Sequence, residues 1–404
     1  MKIDNYLLET CIGIGAFSKT YLTSKKDDPN KYATKVYDRE EIDKSEKMNN
    51  LRNEIMILQY LNHPNIVKFQ DVKKSKRHYY IIMEYCNGGE LSKALEKYIN
   101  KYGKPFPEEL VEHFMKQIIS AFKYIHEKKI IHRDIKLDNI LLHFENEEDL
   151  KNFDLMKATV KIIDFGFACK ISKTGLKYVV LESLINAPEI LLTHWRPPIK
   201  KTKQLGYNEK ADIWSIGTIC YEMVIGKTVY DAEDMDDLIE KVENGSYEVP
   251  ISMSYELVSF LNAMLQYNSE NRLTASQLSR HDFIVKDIKY FKKIDLQKVS
   301  SKIKDDKLKM NTIKNKTIWS IFNDDSQNLL TSIAGSKFIK PIDENEKLEL
   351  EKNKNIGVEL PSHGIPGNPE EQEITGMTKD EIQQFVKEVN EPEYICYPEW
   401  LLDG

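Results

Sequence analysis

From Tyr6 to about Phe291, short runs of β-branched and aromatic residues give way to stretches with apolar residues at helical spacing, and turn residues separate them. Tyr6–Ile12 and Tyr32–Tyr37 read as strands, and Tyr80–Met83 reads as a buried strand entering a glycine-containing connection. Leu51, Ile55 and Leu58 share one face of a predicted helix that ends at the turn His63-Pro64-Asn65. Two segments inside this region, acidic Phe144–Asp154 and basic, proline-containing Arg196–Gly206, are expected to be surface loops. Beyond Lys292 the pattern changes. Residues 292–354 are rich in Lys, Asp, Asn and Ser, and 356–370 carry Pro and Gly without periodicity, which predicts a largely irregular tail, 292–404. One helix is predicted there, near 379–389, because Thr378-Lys379-Asp380-Glu381 has capping-box spacing ahead of Ile382, Phe385 and Val389.

A chain of 404 residues, 41% apolar and 30% charged, can bury one large or two medium cores. Its net charge of -6, without a basic stripe interleaved with aromatics, argues against nucleic-acid binding. Cys11, Cys86, Cys169, Cys220 and Cys396 lie far apart with no Cys-x-x-Cys pair, so neither a zinc site nor a disulfide framework is expected, and a reducing compartment fits. The first residues lack a hydrophobic secretion core, and no apolar run approaches the ~20 residues that span a bilayer. A cytoplasmic location is expected.

The chemistry lies in four short phrases. In "IGIGAFSKTY", Gly13 and Gly15 allow close backbone approach to phosphates, although two spaced glycines also suit a plain hairpin turn. In "YATKVY", Lys35 interrupts apolar residues; held by Glu54 of the following helix it presents a fixed positive charge to phosphates, and alone the pair is a surface salt bridge. "YYIIMEYCNGGEL" offers backbone groups to a purine edge and Glu90 to ribose hydroxyls, or is simply a strand leading to a turn. The strongest phrases are "HRDIKLDN" and "IIDFG". Here Asp134 takes the proton of an attacking hydroxyl, Lys136 stabilises the transferred phosphoryl, and Asn139 and Asp164 hold magnesium, a set rarely met by chance at these spacings.

Residues 6 to about 291 resemble a eukaryotic protein kinase catalytic domain of serine/threonine type, since Lys136 follows "HRD". "MEYCNGGEL", "HRDIKLDNILL" and "IIDFGFA" are most similar to unc-51-like autophagy-type kinases, then to the calcium/calmodulin group. The resemblance implies an α+β bilobal fold over 1–291, with a β-rich N-lobe about 1–82 carrying one key helix, a hinge at 83–89 and a mainly helical C-lobe at 90–291. It implies ATP and Mg2+ as cofactors and protein hydroxyls as substrates. The implied ATP set is Ile12, Gly13, Ile14, Gly15, Ala16, Phe17, Ser18, Thr20, Ala33, Lys35, Glu54, Met83, Glu84, Cys86, Glu90 and Leu141. Ser18 and Thr20 depart from the family's Gly and Val, giving a more polar roof. It further implies that Asp212 anchors the catalytic loop, that Arg272 pairs with Glu189, and that Leu58, Phe69, His132 and Phe165 stack as a hydrophobic column.

One stretch departs from the family. Ahead of Ala187-Pro188-Glu189 the usual Gly-Thr-Pro-x-Tyr is missing, and the Thr position falls on Glu182. Either Glu182 faces the catalytic loop, where a second carboxylate beside Asp134 raises the proton affinity of one of them, or the segment slips by one residue and Ser183 supplies the hydroxyl. Arg133 beside Asp134 suggests control by phosphate on this segment, with Thr174 and Ser172 as self-acceptors. The leading expectation is an ATP- and Mg-dependent serine/threonine protein kinase; the alternative is a nucleotide-binding pseudokinase or scaffold. The closing "YICYPEWLLDG" would let the tail dock on a protein partner or on the kinase lobe.

Overall fold

Alternation along one strand sets up the first half of the molecule. In Asp28–Asp38, Tyr32 and Thr34 are buried on one face of the sheet, while Ala33, Lys35 and Tyr37 point to the other, as the two-residue side-chain period requires. A computed structural model describes residues 1–15, 18–43, 47–170, 187–195, 208–232, 234–245, 247–250, 252–285 and 375–376. Basic 196–206, the stretch 179–186 with Glu182 and Ser183, Thr174, Ser172 and the expected tail helix lie outside these residues.

The chain divides into two compact units. Unit 1 comprises Met1–Gly89, Leu141–Cys169 and the segment Glu359–Gly404; unit 2 comprises Glu90–Ile140 and Lys170–Val358. In chain order the first elements are β1 (Lys2–Ile3), β2 (Tyr6–Ile14), β3 (Ser18–Lys25), β4 (Asp28–Asp38), α1 (Arg39–Asp43), α2 (Lys47–Tyr60), β5 (Phe69–Lys74) and β6 (His78–Glu84). With β12 (Thr375–Gly376) they form a seven-stranded sheet, ordered β1-β2-β3-β4-β6-β5-β12. Thr375 pairs with Lys74 and Gly376 with Lys73, so two tail residues cover the edge of β5. One face of the sheet buries Ile3, Tyr6, Leu8, Tyr32, Tyr80 and Ile82. Leu51, Glu54, Ile55 and Leu58 are buried on one stripe of α2, so the helix predicted from its apolar residues carries a carboxylate inward with them.

Between the units' boundaries run β7 (Gly89–Glu90), α3 (Leu91–Tyr102), α4 (Glu108–Glu127), β8 (Ile130–Ile131), β9 (Ile140–His143), α5 (Glu147–Asn152), β10 (Thr159–Ile162) and β11 (Cys169–Lys170). Leu141–Cys169 groups with unit 1 for local reasons. Gly88 N–H donates to Leu142 O, Asn87 exchanges two hydrogen bonds with the Phe144 backbone, and Val67 N–H donates to Ile162 O. A Cβ at Gly88 would lie 2.8 Å from Leu142 and the Phe144 ring, so only glycine permits this approach. The expected loop Phe144–Asp154 is corrected here: Phe144 is buried and Glu147–Asn152 is a helical turn and a half. Its first turn holds Glu147, Glu148 and Asp149, whose charges favour a helix N-terminus, so acidity there marks a helix start.

Unit 2 continues with α6 (Pro188–Trp195), α7 (Lys210–Ile225), α8 (Met235–Asn244), α9 (Tyr255–Met264), α10 (Ala275–Leu278) and α11 (Asp282–Val285). Leu110, Val111, Phe114, Ile118, Ile119, Phe122 and Ile125 bury one broad face of α4. At Gly217 a Cβ would meet Leu265 and Met264 at 2.9 Å, which lets α7 lie close to the end of α9. Strands dominate unit 1 and helices unit 2, the α+β division expected. Among the described residues, no helix is long and apolar enough to cross a membrane.

Candidate active site

In unit 1 three charged groups converge. Lys35 Nζ lies 2.9 Å from Glu54 Oε1 and 3.2 Å from Asp164 Oδ1, and the Tyr37 hydroxyl donates to Glu54 Oε2 at 2.5 Å. β4 aims Lys35 and Tyr37 at α2 because they stand two residues apart on one face. Burial opposes the Lys35 charge, but Glu54, with Tyr37 and Asp164, outweighs it and holds the ammonium well above its ordinary range. Burial, augmented by Asp164, raises the Glu54 carboxyl against the lowering pull of Lys35 and Tyr37. Asp164 is half-buried, accepts from Gly166 N–H at 3.3 Å, and sits at φ 61°, a left-handed conformation a side chain adopts at some cost.

The glycine-containing turn shows a division of labour. Gly15 N–H closes the turn onto Ser18 O at 2.8 Å, whereas a Cβ at Gly13 would meet only Thr20 at an ordinary 3.7 Å. The fold needs the first amide for the turn and places no steric demand on Gly13. Further along, the Glu84 carboxylate is held by Lys161 Nζ at 2.9 Å and Lys68 N–H at 2.7 Å, and burial pushes the Cys86 thiol up to about 12. Met83 is buried beside Ala33 across the β4–β6 pair.

Unit 2 holds the other predicted residues. Asn139 Nδ2 donates to both Asp134 O at 2.8 Å and Asp134 Oδ2 at 2.7 Å, and Lys136 Nζ lies 3.3 Å from the same Oδ2. Asp212 Oδ2 accepts His132 N–H and Oδ1 accepts Arg133 N–H, each at 2.9 Å, while His126 Nε2 is 2.9 Å from Oδ2. Burial alone would raise Asp212; the bonds and charge from His126 and His132 outweigh it and hold the carboxyl below its ordinary value. The loop so gripped includes Arg133 at φ 72°. Arg272 makes a bidentate pair with Glu189, both N–O distances 2.7 Å.

A family model described as "Protein kinase domain" matches residues 6–284, more than half of the chain. The chain belongs to the protein kinase domain family. Among curated relatives, the domain is 34% identical over 291 residues to "Serine/threonine-protein kinase atg1" of Dictyostelium discoideum, covering 70% of this chain and 40% of that protein. It is 31% identical to "Serine/threonine-protein kinase ATG1c" of Arabidopsis thaliana over 70% of this chain and 36% of the relative, and 29% identical to "Serine/threonine-protein kinase ATG1" of Debaryomyces hansenii over 71% and 35%. The chain thus spans roughly two fifths or less of the length of these relatives. The unc-51-like resemblance read from the sequence is the one these relatives carry.

Within this kinase domain, the structure brings together Lys35, Glu54 and Asp164 in unit 1, and Asp134, Lys136 and Asn139 in unit 2. Glu90 pairs with Lys93 at 2.9 Å. Leu58, Phe165 and His132 are buried and Phe69 is half-buried. Ile12 and Ile14 are exposed, Leu141 half-buried, and Ala16 and Phe17 lie outside the described residues. Two contributors went unread in the sequence. Tyr37 was signalled by its i+2 spacing from Lys35, while His126, 86 residues from Asp212, left no local trace.

Proposed function

We propose that this chain is an ATP- and magnesium-dependent serine/threonine protein kinase that transfers the γ-phosphate of ATP to protein hydroxyls. The observation that carries this reading is the buried Lys35 ammonium held between Glu54 and Asp164, a fixed cation with a carboxylate of the "DFG" run beside it. The names of the relatives support serine/threonine acceptors. When bound, ATP supplies the phosphoryl group and departs as ADP, and Mg2+ neutralises charge on its phosphates.

The donor chemistry fits such a metal. Asp164 and Asn139 offer hard oxygens, and the two bonds from Asn139 Nδ2 to Asp134 fix its amide with Oδ1 turned away from that aspartate. Asp134 accepts the proton of the attacking hydroxyl, Lys136 offsets charge on the phosphoryl group, and Asp212 holds the loop that carries both. With its carboxylate tied to Lys161 and Lys68, Glu84 serves a purine edge through its backbone.

Incubating the full chain with γ-labelled Mg-ATP and a mixed peptide library should label serine and threonine. Asp134→Asn should lower the rate by on the order of a hundredfold or more. Equal labelling by that variant would refute the assignment, and ATP binding without transfer by the wild-type chain would favour a scaffold.

A further inference from the structure

We infer that Tyr37 is a positioning residue for Lys35, acting through its hydroxyl on Glu54. The two oxygens of Glu54 are taken by two residues of the same strand, Oε1 by Lys35 at 2.9 Å and Oε2 by Tyr37 at 2.5 Å. Two donors on one rigid strand grip the carboxylate in a single orientation, whereas one flexible lysine would allow it to rotate. Tyr37 is 7% exposed and Glu54 2%, so water does not replace either bond. The Lys35 ammonium also lies 5.5 Å from the centre of the Tyr37 ring, within cation–π range.

Lys35 alone cannot fix Glu54, because its ammonium is shared with Asp164 at 3.2 Å. On the reading that Lys35 meets the phosphates of ATP, which this inference assumes, the ammonium has to serve the nucleotide while staying paired with Glu54. The Tyr37 hydroxyl is the second donor that keeps Glu54, and with it α2, in place for that pair. Burial and the neighbouring Glu54 carboxylate hold the phenol well above its ordinary range, so it stays a donor throughout the working pH range. Two apolar neighbours in its family-resembling phrase, Ala33 and Val36, have no group that could do this.

The test uses the full chain in the γ-labelled Mg-ATP assay with four variants: Tyr37→Phe, Glu54→Met, the double variant, and Lys35→Met. Tyr37→Phe keeps the ring and loses only the hydroxyl; it should lower kcat by on the order of tenfold with KM for the acceptor peptide unchanged. In the Glu54→Met background, which keeps the side-chain length and offers the hydroxyl no oxygen, the same change should cost less than about twofold, because the hydroxyl acts through that carboxylate. Tyr37→Leu, which likewise lacks a donor, replaces the Phe variant if that protein does not accumulate. A wild-type kcat for Tyr37→Phe while Lys35→Met is dead overturns the inference and leaves the kinase reading standing, as do effects of Tyr37→Phe and Glu54→Met that simply multiply. Full transfer by Lys35→Met would instead overturn the role of Lys35, and the inference with it.

Discussion

Two ion pairs, one in each unit and each with a buried member, show what separates a charge closed on every side from one shared between two carboxylates. Arg272 has an acceptor for each of its five N–H groups: two oxygens of Glu189 and the carbonyls of Gln266, Lys210 and Tyr267. Its guanidinium centre also lies 5.0 Å from the Trp214 ring centre. Nothing in that arrangement can be exchanged without leaving a buried group unpaired. Lys35 is instead a compact point charge claimed by two carboxylates at unequal distances, and its partner Glu54 keeps a second donor in Tyr37. The first pair is closed on itself; the second leaves one cation shared between two carboxylates, as the proposed contact with phosphates requires.

The sharpest challenge to this contrast is Arg272→Ala. It should cost about 3–5 kcal/mol, because Glu189 and three carbonyls lose their donors together. Urea unfolding would measure it, and a loss below about 1 kcal/mol would erase the distinction. Asp212→Asn comes next, at about 2–3 kcal/mol, since the amide turns an N–H toward donors that a carboxylate satisfied. A depressed folded-state value means that this aspartate stabilises fully above its unfolded value of 3.8 and loses that contribution as pH falls through the folded value. Below about pH 4 the wild type should therefore lose stability faster than the variant, read as melting temperature against pH.

Lys35→Met should destabilise least, by about 1 kcal/mol at neutral pH, while abolishing transfer, because Glu54 retains Tyr37 and can take up a proton. Burial already raises Glu54 above 4.5, and loss of the ammonium raises it further. A carboxyl raised in the folded state stabilises most at low pH and loses that contribution as pH rises through the folded value. The variant should accordingly gain more stability than the wild type as the pH falls toward the unfolded value of 4.5. A pH-independent difference between the two would break the comparison.

What could be read from the chain was whatever is contiguous. "HRDIKLDN" packs Asp134, Lys136 and Asn139 into six residues, and the structure joins all three by direct contacts. Lys35 lies in a readable strand and Glu54 in a readable helix, but their pairing follows only with the rest of the phosphate-handling pattern, since alone they read as a surface salt bridge. The pairing of Arg272 with Glu189 spans 83 residues and was reached through family resemblance, since no local pattern encodes a contact between a loop and a helix start. The acidity of Phe144–Asp154 suits a solvated loop as well as the first turn of a helix, so composition alone does not separate the two. Tyr37 passed as a strand aromatic because alternation says which residues share a face and not what lies opposite.

Arg133 and Asp164 carry positive backbone angles, each of which would be more comfortable as glycine. A laboratory selection for heat resistance alone would therefore drift toward glycine at both positions, and at 164 it would give up the carboxylate that pairs with Lys35. Screens for robustness and screens for turnover should pull this chain in opposite directions at those two residues, and only a screen that demands both would preserve them.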